Sequence, residues 1–389
     1  MSGGALVPVR FRPAAPEATT HLLERLAGIL AAGDVPLVGD DRWSAGQWDG
    51  VEALCATSPV PEGTGWAALT SGSSGFPRIV LRSRRSWSDS FAALAALAGW
   101  RAGDIVALPA PPSASISLFS LAHALEGGPR PLLPSGQAGG PKDFAAATAF
   151  HGTPHALARL LEHGPPPRLR TALVGGSHLD PTLRQKATER GIRVLSYYGA
   201  AELSLVAVDD GTGYRPFPGV EVCVEAGQVW VRSPYVADGY LPPCGARQGP
   251  GPLRSVEGWH TVGDQAFWSG NALVFGGRAD GAILTASATV VPEDVESSLR
   301  RVPGVRDAVV LGLPAPGIGS LLAAVIEPST GTTAPDAATL HRAAGELLGP
   351  AHRPRRWFTA TLPRTASGKP ARAELARQLA AGEVASLGR

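Results

Sequence analysis

The sequence predicts an α/β protein: a large amino-terminal α/β domain with a β-rich subdomain, then a small carboxy-terminal α+β domain. Three observations carry this expectation. Short apolar runs alternate with helical patterns through the first two thirds, the texture turns β-rich from Gly219, and a boundary falls near Arg278–Gly281. Alternation of this kind is the pattern of helices packed on a largely parallel sheet.

The helix-like stretch 19–32 leads into an apolar run at 35–38, and the strand-like 104–109 into a helical pattern over 115–126 that stops at Gly127-Gly128. Residues 171–174 read as a buried strand. Asp180 then supplies an N-cap, Pro181 takes the first helical position, and Gly191 ends that helix before a strand over 192–197. Past Gly219, residues 221–224 and 228–232 form a hairpin joined through Ala226-Gly227. The Gly- and Pro-rich stretch 242–252 reads as a surface loop. Beyond the boundary, helices are expected over 292–301, 337–348 and 371–381, with strands over 305–311 and 321–326.

The chain has 389 residues, long enough for two or three domains and a large buried core. Its 44% hydrophobic and 17% charged content excludes a disordered or fibrous protein. A net charge of +2 provides no field to draw nucleic acid or an anionic membrane. The longest apolar stretch, Phe91–Trp100, falls short of the roughly 20 residues that span a bilayer. No secretory leader opens the sequence, so a cytoplasmic protein without membrane insertion is expected. Cys55, Cys223 and Cys244 are too scattered for a metal or disulfide framework. Of the 35 cationic residues only Lys142, Lys186 and Lys369 are lysines. A lysine inside a chemically suggestive segment therefore carries weight.

The sharpest local signal is Thr70-Ser71-Gly72-Ser73-Ser74-Gly75-Phe76-Pro77-Arg78. Glycines let the backbone approach a polyphosphate, and hydroxyls and N–H groups match its oxygens. No Gly-Lys-Ser/Thr follows, so it is not a Walker loop. Read alone, the segment also suits a flexible Ser/Gly turn. At the other end, Thr365-Ala366-Ser367-Gly368-Lys369 presents a lysine just before a helix, a point charge able to meet negative charge developing at phosphorus. Between them lie Tyr197-Tyr198-Gly199-Ala200-Ala201-Glu202, then Gly258-Trp259-His260-Thr261-Val262-Gly263-Asp264, then Gly276-Gly277-Arg278-Ala279-Asp280. An aromatic ring can stack on a purine, one carboxylate can hold Mg²⁺ beside phosphates, and another can accept from ribose hydroxyls.

In this order and spacing, the segments resemble the superfamily of acyl-CoA synthetases, nonribosomal-peptide adenylation domains and luciferases, over about residues 66–375. The short length and the run from Ala107-Leu108-Pro109 to Gly127-Gly128 look most like compact bacterial o-succinylbenzoate-CoA ligases. The Tyr198–Ser204 segment looks more like fatty-acyl-CoA synthetases, so the subfamily stays open. The amino-terminal 65 residues match poorly, which suggests an abbreviated substrate-side lobe.

The resemblance implies a division into an adenylation domain over 1–278 and a mobile domain over 281–389, hinged at 279–281 with Asp280 at the pivot. It implies ATP, Mg²⁺ and coenzyme A as the small molecules used, with a small-molecule carboxylic acid as substrate. Thr70, Ser71, Gly72, Ser73, Ser74 and Gly75 would bind the β- and γ-phosphates, with Arg78 where the family usually has lysine. Gly175, Gly176 and Ser177 would lie along the adenine and acyl pocket, and Tyr198 and Gly199 beside the adenine. Glu202 would be the Mg²⁺ carboxylate, Asp264 and Arg278 would hold the ribose, and Lys369 would be the adenylation lysine. Ser117, His178, Ala200 and Ala201 would line the acid pocket. Ala201 replaces the usual threonine or serine before the glutamate. Leu284 and Ser287 stand where the family shows a lysine and a tunnel glycine. Those last two leave open an acyl carrier protein or an amine as acceptor in place of coenzyme A, and a catalytically idle homologue is the remaining alternative.

Overall fold

The structure is a computed structural model that describes residues 4–11, 18–39, 43–69, 78–134, 141–176, 179–241, 252–278, 282–285, 288–315, 319–329, 331–363 and 370–388. The chain falls into two units, one built mainly from residues up to 278 and the other mainly from residue 282 onward, with Trp43–Trp48 grouped with the second.

Strand β1 (Leu6–Val9), helix α1 (Ala18–Ala31) and strand β2 (Val35–Val38) open the first unit as a parallel β–α–β unit with Leu6 opposite Val35. Helix α1 buries Leu22, Leu26 and Leu30, a four-residue spacing that puts one apolar stripe on the sheet. Helix α2 (Ala45–Thr57) precedes β3 (Thr64–Leu69) and β4 (Ile79–Ser83), which pair antiparallel with Trp66 opposite Arg82. Helix α3 (Arg85–Ala98) ends on Gly99, whose φ of 65° is the left-handed cap that glycine takes without a Cβ penalty.

The central sheet follows: β5 (Ile105–Ala107), α4 (Ser115–Leu125), β6 (Arg130–Leu132), β7 (Ala149–Gly152), α5 (Pro154–Glu162), β8 (Thr171–Val174), α6 (Pro181–Thr188) and β9 (Arg193–Ala200). Its parallel strands run in the order β6-β5-β7-β8-β9. The Thr153 side chain caps α5 through Ala156 N–H, and Asp180 caps α6 through Thr182 N–H, each followed by a proline at the first turn. Strands β10 (Ser204–Asp209) and β11 (Arg215–Pro216) add an antiparallel edge.

The β-rich part comprises β12 (Glu221–Glu225), β13 (Gln228–Arg232), β14 (Gly239–Tyr240), β15 (Arg254–Val256), β16 (Trp259–Thr261), β17 (Asp264–Ser269) and β18 (Ala272–Arg278). All but β14 form one sheet, ordered β15-β16-β13-β17-β18 with β12 on β13. Strand β14 pairs instead with β4, Tyr240 opposite Val80, and extends the first sheet to β1-β2-β3-β4-β14.

The second unit holds the hairpin β19 (Ile283–Leu284) and β20 (Thr289–Val290), then α7 (Pro292–Leu299), β21 (Val305–Ala315), β22 (Gly319–Pro328), α8 (Ala337–Leu347), β23 (Arg356–Thr359), α9 (Arg372–Ala380) and β24 (Ala385–Gly388). Its sheet runs β21-β22-β23-β24. Val290, Leu299, Ile326, Leu340 and Trp357 meet in a core of its own, and Trp357 Nε1 donates to His341 Nδ1 at 2.7 Å. Among the described residues, no helix is long and apolar enough to cross a membrane.

Candidate active site

In a parallel sheet, ligand sites form beyond the carboxyl ends of the strands. At that end of β9 the chain turns tightly into β10: Ser204 lies opposite Ala200, leaving Ala201, Glu202 and Leu203 as the connection. Ser204, the first residue of β10, adopts φ 59°, a left-handed conformation that is uncommon for a residue other than glycine. The turn also needs Gly199, where a Cβ would come within 2.2 Å of the Ser204 carbonyl oxygen.

Glu202 sits at this tip and is buried. The Tyr240 hydroxyl donates to Glu202 Oε1 at 2.7 Å, leaving Oε2 without a hydrogen-bond donor among the described residues. The same phenol accepts from Leu253 N–H at 3.3 Å. Burial, reinforced by the Glu202 charge, pushes the Tyr240 phenol far above its usual range, so it stays a donor. Beneath the turn lies Arg82 on β4, fully buried. Its Nη2 donates to the carbonyls of Ala201 at 2.8 Å and Glu202 at 3.4 Å. Its Nη1 donates to Ser86 Oγ at 3.1 Å and to the Tyr235 carbonyl at 3.2 Å. Burial draws the guanidinium pKa down to about 9, opposed by the charges of Asp238 and Glu202, so the group remains a cation at neutral pH.

A second cluster forms three residues before the turn's first residue, at Tyr198. The Tyr198 hydroxyl donates to Asp264 Oδ2 at 2.6 Å. Its ring stacks on Phe275, centroids 3.9 Å apart and planes 23° from parallel, and Tyr214 meets Phe275 edge-on. Asp264 begins β17 directly opposite Arg278 on β18, with a bulge between Asp264 and Ala266 that re-aims the hairpin start. One edge of the β-rich sheet is thereby joined to the carboxyl end of β9.

Several expected residues gather here. Tyr198, Gly199, Ala200, Ala201 and Glu202 follow one another on β9 and its turn, Asp264 reaches them through Tyr198, and Arg278 takes the register position facing Asp264. Arg78, half-buried just before β4, exerts its charge on the Tyr240 phenol. Gly175 and Gly176 follow β8, and a Cβ on Gly175 would strike the Tyr197 ring at 2.2 Å, so that ring lies directly over this glycine. Ser117 is fully buried and donates its hydroxyl to the Ala110 carbonyl at 2.9 Å, a bond that staples the start of α4. Thr70, Ser71, Gly72, Ser73, Ser74, Gly75, Ser177, His178, Asp280, Ser287 and Lys369 lie outside the described residues.

Four participants have no counterpart in the sequence reading: Arg82, Tyr240, Phe275 and the buried His151. His151 Nδ1 and Ser120 Oγ are 2.7 Å apart, and Nε2 lies 3.1 Å from the Tyr197 hydroxyl. Burial brings the His151 pKa down to about 3, so the ring is neutral, with one nitrogen donating and the other accepting. A charged residue following the apolar run Ile79–Leu81 was the available signal for Arg82. Phe275 directly precedes the Gly-Gly-Arg segment.

Glu202 is a hard oxygen donor with one oxygen held and the other unclaimed, which suits Mg²⁺ shared with phosphate oxygens. No group of three His, Cys, Asp or Glu side chains occurs among the described residues, so protein carboxylates alone would not cage the ion there.

The AMP-binding enzyme family model matches residues 23–241, and that for the AMP-binding enzyme C-terminal domain matches residues 294–369. The chain belongs to the AMP-binding enzyme family. The match begins at residue 23, upstream of the Trp66 at which the sequence resemblance starts, and so takes in most of α1 together with β2 and α2. The chain is 33% identical over 216 residues to a probable 2-succinylbenzoate–CoA ligase of Mycobacterium tuberculosis, covering 54% of this chain and 55% of that protein. It thus spans about half the length of that curated relative. It is 27% identical over 349 residues to an uncharacterized acyl–CoA ligase, YhfT, of Bacillus subtilis, covering 82% of this chain and 69% of that one. Among solved structures, a double mutant of o-succinylbenzoate CoA synthetase from Bacillus subtilis superposes with a TM-score of 0.80 at 20% identity, covering 100% of this chain and 90% of the other. The fold of this AMP-binding chain is therefore that of the adenylate-forming enzymes.

Proposed function

We propose that the chain uses ATP to activate a carboxylic acid as its acyl-AMP and then transfers the acyl group to the thiol of coenzyme A. The observation that carries this reading is the Glu202 turn with Tyr198 and Asp264 beside it: a carboxylate with one oxygen unclaimed, an aromatic ring and a second carboxylate, all at the carboxyl end of β9. Membership of the AMP-binding family and relatives named as CoA ligases support the reaction class.

A carboxylate is a poor acyl donor because its leaving group would be oxide. Attack of the substrate carboxylate on the α-phosphorus of ATP forms the C(O)–O–P bond, breaks the α–β bond and releases pyrophosphate, which makes AMP the later leaving group. Glu202 would hold Mg²⁺, which offsets phosphate charge in such transfers. Tyr198 and Phe275 supply the aromatic surface for adenine, and Asp264 and Arg278 face the ribose. Lys369 places a cation on the developing charge, and Thr70–Gly75 wraps the outgoing phosphates. In the second step the thiolate attacks the acyl carbonyl and AMP departs. Turning the 281–389 domain about Asp280 would exchange the lysine for the thiol route. The small side chains at Ala200 and Ala201 favour an aryl or medium-length acyl acid over a diacid.

Leu284 and Ser287, standing where the family usually has a lysine and a glycine, favour a second reading in which a carrier-protein phosphopantetheine or an amine takes the acyl group. Incubation with ATP, a panel of aryl and fatty acids, and coenzyme A, followed by pyrophosphate release and mass spectrometry, tests both. Acyl-CoA formation carries the first reading. Acyl-AMP accumulating without thioester carries the second, and no acid-dependent pyrophosphate release overturns both.

A further inference from the structure

Arg82 combines features that a purely structural cation does not need. It is fully buried, and no carboxylate lies within ion-pair distance of it among the described residues. A desolvated charge is costly unless its hydrogen-bonding capacity is used. Arg82 directs two of the four hydrogen bonds it donates at consecutive carbonyls of the turn, Ala201 and Glu202, and a third at the Tyr235 carbonyl on the segment that leads to Tyr240. The Ala237 N–H also donates to the Glu202 carbonyl, at 2.7 Å. The backbone of Glu202 is therefore held from β4 and from the approach to β14, while Tyr240 on β14 holds the carboxylate itself. Strands β4 and β14 are paired, so both grips belong to one sheet edge.

We propose that Arg82 and Tyr240 are positioning residues that together aim the Glu202 carboxylate at the metal that accompanies ATP, Arg82 through the backbone and Tyr240 through Oε1. The guanidinium fork spans carbonyls that a single ammonium cannot, so lysine at position 82 keeps the charge and loses the geometry. The proposal rests on the reading of Glu202 as the metal carboxylate.

The test is binding of Mn²⁺ in the presence of ATP, followed by electron paramagnetic resonance, which needs no turnover. Arg82→Lys is expected to weaken Mn²⁺ binding about tenfold and Tyr240→Phe about threefold, the size of one or two lost hydrogen bonds. In the Glu202→Gln background neither substitution should weaken binding further, because the carboxylate they orient is gone. Leu94→Ala, a core change in α3, should lower the melting temperature and leave Mn²⁺ binding as in the parent. Should Arg82→Lys fail to fold, Tyr240→Phe and its pairing with Glu202→Gln carry the test alone. Mn²⁺ affinity unchanged by both substitutions, or losses that persist undiminished with Glu202→Gln, overturns the proposal. Metal effects as expected with no acid activated by the parent would remove the ligase reading and leave the positioning role standing.

Discussion

The Tyr198 hydroxyl is bound to Asp264 Oδ2 at 2.6 Å while its ring lies on Phe275 at 3.9 Å between centroids. Stacking and hydrogen bond together fix the ring plane, with Phe275 taking one face of Tyr198. Stacked aromatic pairs add on the order of 1 kcal/mol beyond their buried area.

Tyr198→Phe keeps the ring and removes its hydrogen bond to Asp264. The lost bond is worth roughly 1 kcal/mol, so KM for ATP should rise about fivefold with kcat nearly unchanged. Tyr198→Ala removes the stack as well and should raise it further. Steady-state pyrophosphate release over an ATP series checks both.

Lys369→Ala should abolish acyl-AMP formation and leave thioester formation from supplied acyl-AMP largely intact. The two half-reactions, assayed separately by mass spectrometry, decide it. Survival of both would remove Lys369 from the chemistry.

Gly199→Ala places a methyl group 2.2 Å from the Ser204 carbonyl oxygen. Two backbone segments must part to admit it, so destabilisation of about 1–3 kcal/mol is expected, with a drop in metal-dependent activity because Glu202 rides on that turn. Chemical denaturation and pyrophosphate release report the two effects.

Acid should weaken the fold through His151 and His123. Burial holds the first at about 3 and the second at about 4, both below the free imidazole. The sign follows from proton counting: between those values and about 6.5 the unfolded chain binds the proton and the folded one does not, so stability rises with pH across that window. The neutral-ring contribution is complete above about 6.5 and is lost as pH falls toward 3–4. Lowering pH from 7 to 5 should cost on the order of 2 kcal/mol at each site. Thermal melts at both pH values check this, and His151→Gln or His123→Phe should flatten the dependence.

Much of the central sheet is legible from local signals. The apolar run 171–174 and the Asp180-Pro181 start each coincide with an element. The hairpin through Ala226-Gly227 appears with Glu221 opposite Arg232. The strand expected over 192–197 continues to Ala200, because β10 keeps pairing with it up to the turn. Helices α2 and α3 were not anticipated: α2 is interrupted by polar residues, and the serines and arginines of α3 mask an apolar face of Trp87, Phe91 and Leu94. In the candidate site, residues that carry their chemistry in a motif could be read directly, whereas Arg82 and Tyr240 act through partners more than a hundred positions away or through a strand pair. Such long-range pairings leave no local pattern.

The apolar interior of the second unit, running from Val290 and Val295 through Ile326 to Trp357, closes on its own residues. That unit therefore carries a core complete in its own residues, so its fold is expected to melt as a cooperative transition of its own.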